Sequence, residues 1–120
     1  MKEEDRVYLK HILDAISTIE QYVGSSSYDE FLGNRLLQDG VIRQIQIIGE
    51  ASKKLSSELK QKYPQIPWKD IVGMRDKIVH DYLGVDPEVV WKTISGNIPE
   101  FKKEVSLLME MESWLASIDN

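Results

Sequence analysis

Cysteine is absent from the 120-residue chain. That removes disulfides, thiolate nucleophiles and thiolate metal sites together, and it fits a reducing compartment. Histidine occurs only as His11 and His80, far apart in the chain. With no HExxH helix, CxxC pair or acidic calcium loop, a metal site built from this one chain has little support, and no cofactor is implied. A glycine-rich phosphate loop and a GxSxG elbow are also missing, which sets aside the usual nucleotide hydrolases and acyl-transfer enzymes. No apolar run approaches bilayer length, and the opening residues MKEEDRVYLK lack the apolar core of a secretory signal. The expectation is a cytoplasmic protein with no membrane partner.

What is present is average for a folded soluble protein: 42% hydrophobic and 29% charged residues, without the excess of proline or glycine that marks disorder. The length suits one domain, residues 1–120. A net charge of −5 argues against a surface that is wholly a nucleic-acid footprint, so any such contact must be local. Lys53, Lys54, Lys60, Lys62, Lys102 and Lys103 cluster, but acidic residues are mixed among them, as on a solvated helix face.

Apolar periodicity is helical throughout, and β-alternation of useful length is missing. Residues 5–23 place Val7, Leu9, Ile12, Leu13, Ile16, Ile19 and Val23 at helical intervals, and GSSS ends that segment. Ser27 and Glu30 have capping-box spacing, predicting a short turn that carries Phe31 and Leu32 inward. A long helix is expected over 34–62, with Leu37, Val41, Ile45, Ile48, Leu55 and Leu59 in near-heptad spacing. Gly49 inside it costs about 1 kcal/mol relative to alanine, which close approach of a neighbouring helix would explain. Pro64 and Pro67 interrupt the pattern, with Pro67 suited to be the first residue of a helix over 68–83. Gly84 suits a left-handed cap there. Asp86 and Pro87 suit another helix start, with Val89, Val90, Trp91 and Ile94 on its apolar face. Pro99 suits the opening of a last helix bearing Phe101, Val105, Leu108, Met109, Met111 and Leu115. The fold class expected is an all-α bundle of four to five helices.

One stretch, GMRDKIVHDY (residues 73–82), carries the chemistry. In a continuous helix from Trp68 the apolar face runs Trp68, Ile71, Val72, then Arg75, then Ile78, Val79 and Tyr82, which puts a guanidinium in or beside the buried row. Asp76 and His80, four apart, would face each other, and Arg75 and His80 would lie about 140° apart around the axis, flanking one cleft. A histidine titrating near neutrality beside an arginine suits metal-free phosphodiester cleavage. The imidazole moves the proton of a 2′-hydroxyl or leaving oxygen while the guanidinium stabilises charge growing on phosphorus. The substrate would then be RNA. On the residues alone a second account stands: Arg75 pairs with a buried acid such as Glu50, and His80 caps the helix end.

The run RDKIVHDY resembles the R-x4-H-x-Y signature of the HepT-like HEPN domains, ribonuclease toxins of toxin–antitoxin pairs. YLKHILDAISTIEQYV, RQIQIIGEASKKLS, YPQIPWKDIVGMRDKIVHDY, GVDPEVVW and NIPEFKKEV resemble that family in the same order, covering nearly the whole chain. The resemblance implies a HEPN-like helical fold, Arg75 and His80 as the catalytic pair, and Asp76, where asparagine is frequent, as support. It also implies that Tyr82 receives AMP groups from a nucleotidyltransferase antitoxin of the MntA type. A phosphodiester and adenine two residues from His80 would fill the cleft with negative charge and bulk and so block RNA. The resemblance further implies a homodimer, with two motifs facing one groove, and a higher assembly with the antitoxin. An alternative within the same resemblance is a non-catalytic binding subunit that docks a separate nucleotidyltransferase. A further one is a family member that keeps the fold without activity.

Overall fold

In a computed structural model the first helix, α1 (Glu3–Val23), opens with Glu3, Glu4 and Asp5, whose charges favour its N-terminal dipole. The structure describes residues 1–80 and 84–119. Leu9, Ile12, Ala15, Ile16 and Ile19 form the buried stripe of α1, whereas Val7, expected on that face, is exposed. Gly24 ends the helix at φ 51°, donating its N–H to the Glu20 carbonyl at 2.9 Å. The capping box forms as the spacing predicts: Ser27 and Glu30 exchange backbone and side-chain hydrogen bonds, both 3.1 Å, and open α2 (Tyr28–Leu32). Phe31 is buried and Leu32 is exposed. The Gln38 amide donates to the Phe31 carbonyl at 2.9 Å and the Leu32 carbonyl at 3.1 Å, closing the end of α2 onto the next helix.

The single helix expected over 34–62 is two, α3 (Arg35–Lys54) and α4 (Ser57–Lys62). Leu55 turns extended between them (φ −62°, ψ 145°). The cause lies in α1. The buried Asp5 carboxylate accepts from the Ser56 backbone N–H at 2.8 Å and from its hydroxyl at 2.6 Å, while Ser56 Oγ caps α4 by accepting from Leu59 N–H at 3.2 Å. A contact across 51 positions therefore starts a helix that local periodicity would have run straight through.

At Gly49 the expectation of close helix approach holds. A Cβ there would stand 3.4 Å from the Val72 carbonyl oxygen and 3.7 Å from that of Ile71. This contact seats α5 (Trp68–Val72) on α3. Pro67 is the N-cap of α5, one place before the position expected. Trp68 Nε1 donates to the Tyr63 carbonyl at 3.0 Å, and its ring meets Phe101 edge-on at 5.9 Å. After Gly73 comes α6 (Met74–Ile78), then β1 (Val79–His80), which pairs antiparallel with β2 (Gly84–Val85). The helix expected over 68–83 is thus two short helices and a strand. Gly84 does adopt positive φ, 76°, but within β2.

The last third runs α7 (Pro87–Lys92), a π-helical turn (Thr93–Asn97) and α8 (Ile98–Ile118). Asp86 caps α7 through Glu88 N–H at 3.0 Å. Backbone angles stay right-handed helical at Lys92, Thr93, Asn97 and Ile98, so the expected break before Pro99 is a widened turn rather than a stop. Pro99 has no N–H to give the preceding turn, and the π turn ends two residues before it. The architecture is all-α apart from the two-residue strand pair. The core links Leu9, Ile12 and Ile16 of α1, Val41, Ile45 and Ile48 of α3, Ile78, Val90, and Phe101, Val105 and Leu108 of α8.

Glu112 of α8 is buried, with only 3% of its side chain exposed, and binds Lys62 Nζ at 2.7 Å and the Tyr63 hydroxyl at 2.5 Å. Burial opposes its ionisation, but the Lys62 and Tyr63 hydrogen bonds outweigh it and hold the carboxyl below its ordinary value. Burial, then Glu112, pushes the Tyr63 phenol up to about 12. Stability supplied by Glu112 is therefore complete above the unfolded carboxylate value of about 4.3 and lost as pH falls through the lower folded value. That supplied by Tyr63 is complete below about 10 and lost as pH rises through about 12. Melting curves taken below about pH 4.5 should show a falling midpoint whose slope Glu112→Gln makes shallower; an unchanged slope would remove Glu112 from the acid response.

Candidate active site

Gly73 lies between the two short helices, its N–H accepted by the Lys69 carbonyl at 3.0 Å. The stop and restart reset the helical phase. Met74 and Ile78 point inward and are buried, while Arg75, Asp76 and Lys77 face out. Arg75 does not occupy the buried row that a continuous helix would give it: its side chain is 51% exposed. Among the described residues Arg75 has no buried acid as its partner either: Glu50 is exposed, and the ion pair of Arg75 is with Asp76, Nη1 to Oδ1 at 3.4 Å. Long and solvated, that pair holds the guanidinium weakly. Among the described residues no other side chain engages its planar fork.

The chain leaves the helix at Val79, so the expected helical facing of Asp76 and His80, and the 140° relation of Arg75 to His80, do not arise. Instead His80 sits on β1 opposite Gly84, two residues beyond the end of the helix that carries Arg75. Tyr82 lies outside the described residues.

Beside α6 is a cavity of about 290 Å³, bounded by Ile71, Met74 and Lys77 on one side and by Lys92, Thr93 and Asn97 on the other. Sequence reasoning missed it. Its one signal is Pro99 shortly after Gly96 and Asn97, inside an otherwise helical run. Glu104 also lines the cavity, and burial, then the Glu100 charge, raises its carboxyl.

Three lysines of these clusters serve the fold, in line with the solvated-face expectation. Lys102 bonds both Glu20 oxygens at 3.0 Å, Lys54 lies 5.8 Å over the Tyr8 ring, and Lys62 holds Glu112. His11 is exposed, edge-on to Tyr8 at 6.2 Å. Among the described residues no group of three His, Asp or Glu side chains converges to hold a metal ion, and no helix is long and apolar enough to cross a membrane.

Residues 12–108 match the model of the family described as ribonuclease HepT-like. The chain belongs to the HepT-like ribonuclease family. It is 42% identical over 102 residues to a Thermococcus cleftensis protein named "Probable ribonuclease HepT", covering 85% of this chain and 93% of that one. A Methanocaldococcus jannaschii protein named "Putative RNase" is 38% identical over 109 residues, covering 91% and 90%. A second protein of that organism, named "Gamma-glutamylcyclotransferase and putative RNase", is 43% identical over 110 residues. This HepT-like chain covers only 50% of that relative's length. No solved structure matches the chain. The match runs from α1 into α8 and contains α6 and β1, the elements that carry Arg75 and His80.

Proposed function

We propose that this HepT-like chain is a metal-independent endoribonuclease, acting in the cytoplasm as the toxin of a type VII-like toxin–antitoxin pair. The carrying observation is membership of a ribonuclease family together with an exposed Arg75 five residues before His80. In the proposed reaction the His80 imidazole takes the proton of the ribose 2′-hydroxyl and the 2′-oxygen attacks phosphorus. The 5′-oxygen leaves and takes up a proton, so the products are a 2′,3′-cyclic phosphate and a free 5′-hydroxyl. Arg75 donates to the non-bridging oxygens as their charge grows, and Asp76 supports the site. In a homodimer whose two motifs share a groove, the second His80 supplies the leaving-group proton.

Silencing is assigned to Tyr82, as acceptor of AMP from a nucleotidyltransferase antitoxin that forms a larger assembly with the dimer. Purified protein incubated with mixed cellular RNA in EDTA should yield cyclic phosphate ends. Preparations carrying AMP-sized mass increments on Tyr82 should not cut. If protein free of any increment leaves RNA intact, both with EDTA and with added divalent ions, the ribonuclease reading fails and a binding subunit takes its place.

A further inference from the structure

The second half of α8 carries apolar side chains that the core does not cover. Leu107, Met111, Trp114 and Ile118 are 64%, 47%, 58% and 58% exposed, and Glu112 is the last residue of α8 to be buried. Beyond it the helix continues to Ile118 with no buried residue to hold it, although a free turn and a half of helix is marginal in water. The four residues follow one another by four, three and four positions, which is the a/d seam of a coiled coil. Together they expose on the order of 500 Å² per chain, beyond the scattered apolar residues usual on a monomer surface.

We infer that this stripe pairs with the same stripe of a second copy, the two α8 helices running antiparallel. The spacing fits that occupant. Four, three, four reads the same in both directions, so a two-fold axis between residues 112 and 113 sets Leu107 against Ile118 of the other copy and Met111 against Trp114. Every apolar residue then meets an apolar one, as an isologous contact requires. Glu110, beside the seam, falls near Leu115 and Ser117 of the other copy, so no carboxylates are opposed. Two such stripes remove on the order of 1,000 Å² from water before their neighbours are counted, the lower bound for a specific interface. This contact is independent of the motif-to-motif dimer proposed above. The stripe lies on the part of α8 that holds Tyr63 and Lys62, whereas the Phe101 end packs against Trp68 and the helices leading to Arg75.

The absence of native cysteine makes the register testable. Within one chain, positions 107 and 118 are about 16 Å apart along the helix, too far for a disulfide. In the antiparallel pair they are opposed. The L107C/I118C protein should therefore form disulfide-linked dimers under mild oxidation across a dilution series, while L107C and I118C alone should not. Trp114→Glu should halve the mass of the parent assembly in light scattering, whether that assembly holds two chains or four. A parent of single-chain mass, a mass unaffected by Trp114→Glu, failure of the double variant to bridge, or efficient bridging by L107C alone, which marks parallel pairing, would each overturn the inference.

Discussion

His80→Ala will lower the rate of RNA cleavage by about 10²- to 10⁴-fold, the range expected when a positioned general base or acid is removed. The proposed function places the largest effect here because no other histidine is close in sequence, and His11 is an exposed residue of α1. Arg75→Ala should lose about 10²- to 10³-fold, the scale of a lost donor to transition-state charge. Arg75→Lys should recover only part of it, since an ammonium cannot grip two phosphate oxygens in parallel. With its guanidinium half exposed and, among the described residues, bound only to a solvated Asp76, Arg75 should be replaceable with little change in melting temperature. Rates measured on a single labelled RNA, beside melting curves of the same preparations, decide the matter. Full activity in both alanine variants would remove these residues from the chemistry, whereas loss of activity together with a large drop in stability would make Arg75 a structural residue.

Phe101→Ala should be the most destabilising single change, at about 3–5 kcal/mol, lowering the melting temperature by on the order of 15 °C. The ring is 1% exposed and stands edge-on to Trp68 at 5.9 Å. Its loss leaves a cavity where α8 meets the start of α5, among helices tied together by the Tyr63–Glu112 and Trp68–Tyr63 hydrogen bonds. Because α5 and α6 lead directly from Trp68 to Arg75, activity should fall before global unfolding begins. Calorimetry of the variant checks the first point, and cleavage rates taken well below its melting temperature check the second. A shift of only two or three degrees would mean that this corner of the core is loosely packed.

The candidate site was partly legible. The R-x4-H spacing picked out Arg75 and His80, and the family match includes both positions. Their setting was misread because the apolar count from Trp68 runs on through Gly73 without a change of period. The same count works for one helix or for two short ones in altered phase, and the stop is visible only in the structure, where α5 ends at Val72 and α6 opens at Met74. Met111 lies on the last helix as its spacing indicates, yet it is exposed. Periodicity marks an apolar residue without telling whether this chain's own core or another surface covers it.

What the amino-acid order determined by itself is what contacts within one or two turns decide. It set the all-α class, the stripe of α1, the Ser27 to Glu30 capping box, the Asp86 and Pro87 start of α7, and the glycine needed where α3 meets another helix. The tertiary structure alone decided the break at Leu55, the outward turn of Arg75, the continuity of backbone through Pro99 and the uncovered stripe on α8. Each of those depends on groups brought from far along the chain or on the area that neighbouring helices leave bare. Asp5 reaches Ser56 across 51 positions, and no local pattern encodes a partner at that distance.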